Sequence, residues 1–137
     1  MTQSKTAIAT VMLALMLSSL SPAISSAQVF NGDTYKAESA IISAGSRAAA
    51  VYRIKSVPSV GIINLAFRNT ARFHSDVPDV SEYRISSEKH YAGISKLRSA
   101  LRANPVTRAA VAQHGVSVNR VVGVDIYSNG SLRFYTL

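Results

Sequence analysis

The chain contains no cysteine. No disulfide contributes to the fold, so its stability has to come from packing alone. The same absence excludes a cysteine-ligated zinc site and a lipid-modified N-terminal cysteine. Small secreted proteins of animals are commonly rich in disulfides. If this chain is exported, the lack of cysteine favours a bacterial source and a periplasmic or extracellular location.

Acidic residues are also scarce, with 7 Asp and Glu against 15 Lys and Arg, for a formal net charge of +8. This excess predicts a basic surface that can attract polyanions. Ordinary solvated surface is the simpler interpretation, because no single basic stripe follows the clearest predicted helix. The aromatic residues interleaved with charge that single-strand nucleic-acid binders use are missing, which argues against nucleic acid as a partner. The candidate anion-binding residues are Arg68, Arg72, Arg98 and Arg102.

The sequence carries none of the common catalytic or cofactor motifs. It has no Gly-x-Ser-x-Gly, no phosphate loop, no dinucleotide glycine pattern and no histidine pair with zinc-helix spacing. We therefore expect no cofactor and no metal, and an enzyme is the minority hypothesis. The catalytic candidates are His74 and Asp76, since a loop histidine near a carboxylate can be oriented as a general base or metal ligand. A solvated polar loop is the alternative interpretation.

Long apolar runs are absent except near the N-terminus, where residues 7–20 carry no charge. A spanning helix needs about 20 apolar residues, and this run is shorter and meets Pro22. With Lys5 before it and small residues after it, the pattern predicts a cleavable signal peptide. Cleavage is predicted between Ala27 and Gln28, which leaves 110 of the 137 residues, a charge of +7 and no membrane span.

The remaining chain fits one domain. Residues 28–46 form an N-terminal segment with little pattern, either a short helix over 34–44 stopped by Gly45 or a tail that orders on docking. Residues 47–137 are predicted to form the α+β domain. Its first elements are a strand over 51–56, ended before Pro58, and an apolar strand over 60–67 that is covered on both faces.

Two predicted helices follow in the middle of the domain. For residues 79–86 the pattern does not decide between helix and strand. A capping box predicts a helix, but it would place Ile85 on the solvent-exposed side. From 87 to 103 the spacing is helical, and the residues on its apolar face are Tyr91, Ile94, Leu97 and Leu101. Asn104 and Pro105 then end this helix and start the next, which stops at Gly115 and has His114 as a capping residue.

The C-terminal residues predict a β-hairpin over 121–127 and 131–137. A three-residue loop with Gly130 in the left-handed region pairs Val124 with Phe134 and Ile126 with Leu132, which makes one apolar face. A two-residue loop at Asn129 and Gly130 would instead oppose polar and apolar residues. We therefore predict the three-residue loop. The open edge of this hairpin offers a surface for self-association.

Together these elements predict a small α+β domain in the order β-β-α-α-β-β. It has an antiparallel sheet of about four strands with two helices on one face. The leading functional hypothesis is an exported, non-enzymatic module that binds an envelope protein or an anionic polymer. The alternative is a small hydrolase or metal-dependent enzyme that uses His74 and Asp76.

Overall fold

A computed structural model describes residues 32–66 and 80–137, with side chains from residue 36 onward. The predicted signal peptide, the cleavage site at Ala27 and Gln28, and the loop of His74 and Asp76 lie outside the described residues. None of the described helices has the length and hydropathy needed to cross a membrane. The elements are α1 Gly32–Ile42, α2 Ala44–Tyr52, β1 Val60–Asn64, α3 Val80–Lys89, α4 Tyr91–Ala103, α5 Pro105–Gln113, β2 Val121–Ile126 and β3 Leu132–Thr136.

The described residues form an α+β fold with five helices and one mixed three-stranded sheet in the order β1-β3-β2. The α+β class is confirmed, whereas the predicted four-stranded antiparallel sheet with two helices is wrong. β2 pairs with β3 antiparallel, but β1 pairs with β3 in parallel. Two parallel neighbours need a crossover connection, and the chain between β1 and β3 includes helices α3 to α5.

The strand predicted over residues 51–56 is wrong, because Val51 and Tyr52 end helix α2 and residues 53–56 form a turn and a segment without regular secondary structure. Alanine is the strongest helix former, and α2 is rich in it, so the helix continues through the β-branched Val51 to Tyr52. Val51 is fully buried, while its neighbours Tyr52 and Arg53 are exposed. Arg53 caps the helix through its backbone amide, which bonds to carbonyls of the last turn. Pro58 then separates α2 from β1.

From Gly32 onward this part of the chain forms helices α1 and α2, which contribute to the core. Gly45 does not stop α1, which ends at Ile42; it lies inside α2, where it faces Gly93 of α4. Helix α1 packs on β2, where a Cβ atom on Gly123 would come within 2.8 Å of the Ala40 backbone. The fully buried core residues of the two helices are Ala37, Ala40, Ile41, Ala44 and Val51.

Residues 80–103 form two helices that meet at His90, instead of one helix beginning at residue 87. The prediction did not decide between helix and strand for residues 79–86. The segment is helical from Val80, and Ile85 is 52% exposed. Tyr83 supplies the buried face of α3. In α4 the burial of Ile94, Leu97 and Leu101 is confirmed. The prediction for Tyr91 is wrong, because this first helical residue is 66% exposed.

The junction at Asn104 and Pro105 is confirmed. The Asn104 Oδ1 atom accepts from the Val106 amide at 3.0 Å, and Pro105 occupies the first turn of α5. The Asn104 amide also donates to the carbonyls of Val51 and Ile54, at 2.9 and 2.8 Å. One buried side chain thus joins the end of α2 to the start of α5. Helix α5 ends as predicted, with His114 Nδ1 2.9 Å from the Ala110 carbonyl oxygen and Gly115 at φ +66°.

The C-terminal hairpin has the predicted register. Val124 pairs with Phe134 and Ile126 with Leu132, and Gly130 in the loop has φ +84°. Strand β3 is central and pairs with β1 on its other side, so the outer edge of the hairpin lies on β2. Self-association through the hairpin edge stays a prediction. Strand β1 itself ends at Asn64, three residues before the predicted end at Phe67.

Candidate functional site

A cleft of about 400 Å³ opens where α1 and α2 meet the hairpin. Both helices and the C-terminal end of β2 contribute to it, so the cleft exists only in the folded domain. Gly123 lets α1 approach β2 closely, which brings the first turns of α1 beside the end of the strand. The residues lining the cleft are Lys36, Ser39, Arg47, Asp125, Ile126 and Tyr127.

Arg47 of α2 is fixed to β2 through one nitrogen of its guanidinium group. Its Nη1 atom donates to the Val124 carbonyl and to Oδ1 of Asp125, the latter at 2.5 Å. The side chains of Arg47 and Asp125 are only 30% and 17% exposed. Since a partly buried ion pair is screened less than a surface pair, this contact holds the guanidinium group in one orientation.

Asp125 is in turn held by Tyr135. The Tyr135 hydroxyl donates to Oδ2 of Asp125 at 2.7 Å, so each carboxylate oxygen has a partner. Burial raises the pKa of the Tyr135 phenol well above its usual range, and the hydrogen bond and charge of Asp125 raise it further. Tyr135 therefore stays protonated and keeps donating at neutral pH. Asp125 acts here as an anchor for Arg47.

The remaining donors of Arg47 point to the chemistry of the cleft. Guanidinium offers five N–H donors, and Arg47 directs those of Nη1 to the protein. Its Nε and Nη2 atoms have no acceptor within residues 32–66 and 80–137. These two nitrogens form the edge that binds a carboxylate or a phosphate with two parallel hydrogen bonds. Lys36, exposed on α1, adds a second positive charge to the same cleft.

Tyr127 forms an aromatic wall of this cleft. It is 38% exposed, and the Arg133 guanidinium carbon lies 5.4 Å from its ring centroid. A cation over the ring face fixes the ring and adds positive charge nearby. The cleft therefore joins an oriented guanidinium, an ammonium and an aromatic surface. Asp125, the one carboxylate among its described residues, is already paired.

The structure gives different roles to the predicted anion-binding arginines. Arg98 Nε donates to the Val121 carbonyl at 2.8 Å, and Arg102 Nη2 donates to Oδ1 of Asn119. Burial lowers the pKa of the Arg98 guanidinium, and the nearby charge of Arg102 lowers it further. These two residues of α4 tie the helix to β2 and to the turn before it. They do not lie at the cleft.

Four other predicted site residues, Arg68, Arg72, His74 and Asp76, lie outside the described residues. The hydrolase or metal-enzyme hypothesis based on His74 and Asp76 stays a prediction from sequence. In the described part of the chain, no three His, Asp or Glu side chains come together in an arrangement that could hold a metal ion.

Comparison with known proteins adds no assignment to this site. No protein-family model, curated protein or solved structure matches the chain.

A second cleft of about 350 Å³, between α1 and α3, has the opposite electrostatic character. Its charged side chains include Glu38 and Glu82, and Lys89 is the only lysine or arginine among the described residues of its lining. It therefore does not favour an anion.

Sequence reasoning missed the first cleft because its residues come from distant parts of the chain. The only local signal was Asp125, an acid in a strand of valines and isoleucine.

Proposed function

We propose that this protein is an exported, non-enzymatic binding module that holds an anionic group of an envelope polymer or protein in the Arg47 cleft. The observation that carries the proposal is the orientation of Arg47. Its Nη1 atom is tied to Val124 and Asp125, while its Nε and Nη2 atoms keep no acceptor among the described residues. A pre-oriented donor pair binds an anion with less loss of side-chain entropy than a free arginine.

The charges around Arg47 support an anion over a cation. Lys36 lies in the same cleft, and Asp125 already has both oxygens occupied. The basic excess of the whole chain adds long-range attraction for a polyanion. A partner with repeated phosphate or carboxylate groups binds more tightly through both effects. One group enters the cleft, while the neighbouring groups are attracted to the basic surface.

Binding is tested with two soluble polyanions, inorganic polyphosphate and polygalacturonate, by titration calorimetry at increasing salt. We expect Lys36→Gln to weaken binding about tenfold, and Arg47→Lys to weaken it although the charge is kept, since lysine lacks the two-nitrogen edge. Lys96→Gln is the matched control, because Lys96 is an exposed cation on α4 away from the cleft.

Equal losses for Lys36→Gln and Lys96→Gln would show that binding depends on net charge alone and would contradict the role of the cleft. Comparison of the two polymers tells whether phosphate or carboxylate is preferred. Export is tested separately by the intact mass of the protein recovered from the cells that produce it. The expected chain begins at Gln28, and a chain that retains Met1 contradicts export.

A further inference from the structure

The two outer edges of the sheet differ in how far other parts of the described chain cover them. Strand β3 is central, so β2 and β1 form the edges. On β2, Val121 and Val124 belong to residue pairs whose backbone groups point away from β3, and their carbonyls accept from Arg98 and Arg47. Helix α1 also packs against this strand at Gly123. These contacts protect the β2 edge from pairing with another strand.

The edge of β1 has no comparable protection among the described residues. The Leu132 amide donates to the Ser59 carbonyl, so alternate residues from Ser59 onward face β3. The backbone amides and carbonyls of Val60, Ile62 and Asn64 consequently face outward. Within residues 32–66 and 80–137, no strand or side chain pairs with these outward groups. Both Val60 and Ile62 are only half-buried.

The sequence around this edge also lacks charge. Residues 56–67 contain no Asp, Glu, Lys or Arg, although the whole chain carries 15 basic residues. Edge strands of monomeric proteins usually carry a lysine, an inward charge or a bulge that prevents pairing. β1 has a regular register with β3 over all five of its residues. The β-branched Val60, Ile62 and Ile63 give it high strand propensity.

We infer that the edge of β1 pairs with β1 of a second copy of this chain, antiparallel and about a two-fold axis at Ile62. In that register, Ile62 lies opposite its symmetry mate and Val60 lies opposite Asn64 of the other copy. Each of these pairs exchanges two backbone hydrogen bonds. The register brings no like charges together, which favours a second copy over a charged partner at this edge. The two sheets join into one, and the two Arg47 clefts stay on its far edges.

The first experiment measures the mass of the purified protein in solution by light scattering after size exclusion. We expect twice the chain mass for the wild type and the single chain mass for Ile62→Lys, because a charge at the axis meets its own copy. Ile126→Lys is the matched control, since Ile126 occupies the outer edge of β2. We expect this variant to keep the mass of the dimer. Val60→Pro removes one outward amide, keeps the inward bonds of β1 and also gives the monomer.

A second experiment uses the absence of native cysteine. In an antiparallel pair of this kind, the two Cα atoms at the axis lie about 5.5 Å apart, within the range of a disulfide. Ile62→Cys is therefore expected to give a covalent dimer on mild oxidation, while Ser128→Cys in the hairpin loop stays monomeric under the same conditions.

A wild type that stays monomeric at every soluble concentration overturns the inference. A dimer lost in Ile126→Lys but kept in a folded Ile62→Lys also overturns it, because that result places the interface on β2. Circular dichroism of each variant shows whether the fold is kept. If Ile62→Lys does not fold, Val60→Pro and Ile62→Cys decide the outcome.

Discussion

A Cβ atom on Gly45 would lie 2.9 Å from the Cα atom of Gly93. The two glycines therefore mark the point where α2 and α4 touch backbone to backbone. This contact lets the helices approach closely, so that the core side chains between them, such as Val51 and Leu97, are fully buried. It explains why a residue with poor helix propensity lies inside each of these helices.

Substitution of Gly45 by alanine is expected to destabilise the protein. Alanine gains about 1 kcal/mol in helix propensity over glycine, but overpacking of a tight contact costs about 1–3 kcal/mol. We expect a net fall of about 1 kcal/mol in the free energy of unfolding, measured by urea denaturation. Ser95→Ala, on the exposed side of α4, is the control and leaves stability nearly unchanged. A more stable Gly45→Ala variant would contradict the close contact.

Asn104 is expected to be one of the most sensitive polar positions. Its side chain caps α5 and donates to carbonyls at the end of α2, and it is 5% exposed. Loss of the cap and of buried hydrogen bonds in Asn104→Ala should lower the free energy of unfolding by about 3 kcal/mol. Gln113→Ala, at an exposed amide side chain on α5, is the control and leaves stability nearly unchanged.

The same position separates the two roles of the side chain. Asn104→Asp keeps an acceptor for the Val106 amide but replaces the donor with a second acceptor that faces the carbonyls of Val51 and Ile54. We expect it to be at least as destabilising as Asn104→Ala in the same urea measurement. Near-wild-type stability for the aspartate variant would mean that capping alone explains the position.

Tyr83 and Tyr135 form a matched pair for testing buried hydroxyls. The Tyr83 hydroxyl is buried and has no hydrogen-bond partner in the described part of the chain. An unpaired buried polar group costs about 1–3 kcal/mol, so Tyr83→Phe should raise the free energy of unfolding by about 1 kcal/mol. Tyr135→Phe should lower it by about 2 kcal/mol, because Asp125 loses a donor. Equal effects of the two substitutions would contradict this difference.

Tyr135 also predicts a loss of stability at alkaline pH. An unfolded tyrosine releases its proton near pH 10, whereas burial and Asp125 raise the pKa of Tyr135 in the folded protein. The folded state holds this proton more tightly, so the contribution is complete below about pH 10 and is lost as pH rises through the folded-state pKa. Urea midpoints from pH 8 to pH 11 should fall more steeply for the wild type than for Tyr135→Phe. An equal fall of the urea midpoint with pH in both proteins would show that Tyr135 does not cause the loss of stability.

The parts of the fold that were predicted correctly depend on neighbouring residues. The loop at Gly130 fixes the hairpin register, and Asn104 with Pro105 fixes a helix boundary, because turn and cap chemistry acts over a few residues. The segment 51–56 failed for the opposite reason. Its β-branched and aromatic residues favour a strand, but the alanine-rich turns before it and the burial of Val51 extend a helix.

The cleft at Arg47 was not predicted because its main pair of residues is distant in sequence. Arg47 and Asp125 are 78 positions apart, and nothing near either residue indicates the other. The placement of β1 beside β3 is equally non-local, so the sequence of the hairpin alone did not indicate that β3 is the central strand. Only the assembled sheet shows that Arg98 and Arg47 donate to carbonyls of β2.

The parallel pairing of β1 with β3 also determines when this protein can fold. Ser59 and Ser131, which directly precede β1 and β3, are joined by a hydrogen bond between their hydroxyls although they are 72 positions apart in the sequence. Helix α1 packs on β2. A polypeptide is made from its N-terminus, so the first helices emerge well before the strands that they cover, and long-range pairing of this kind is slow. The nascent chain has no native sheet until residues 132–136 are available, and its core closes with that last strand.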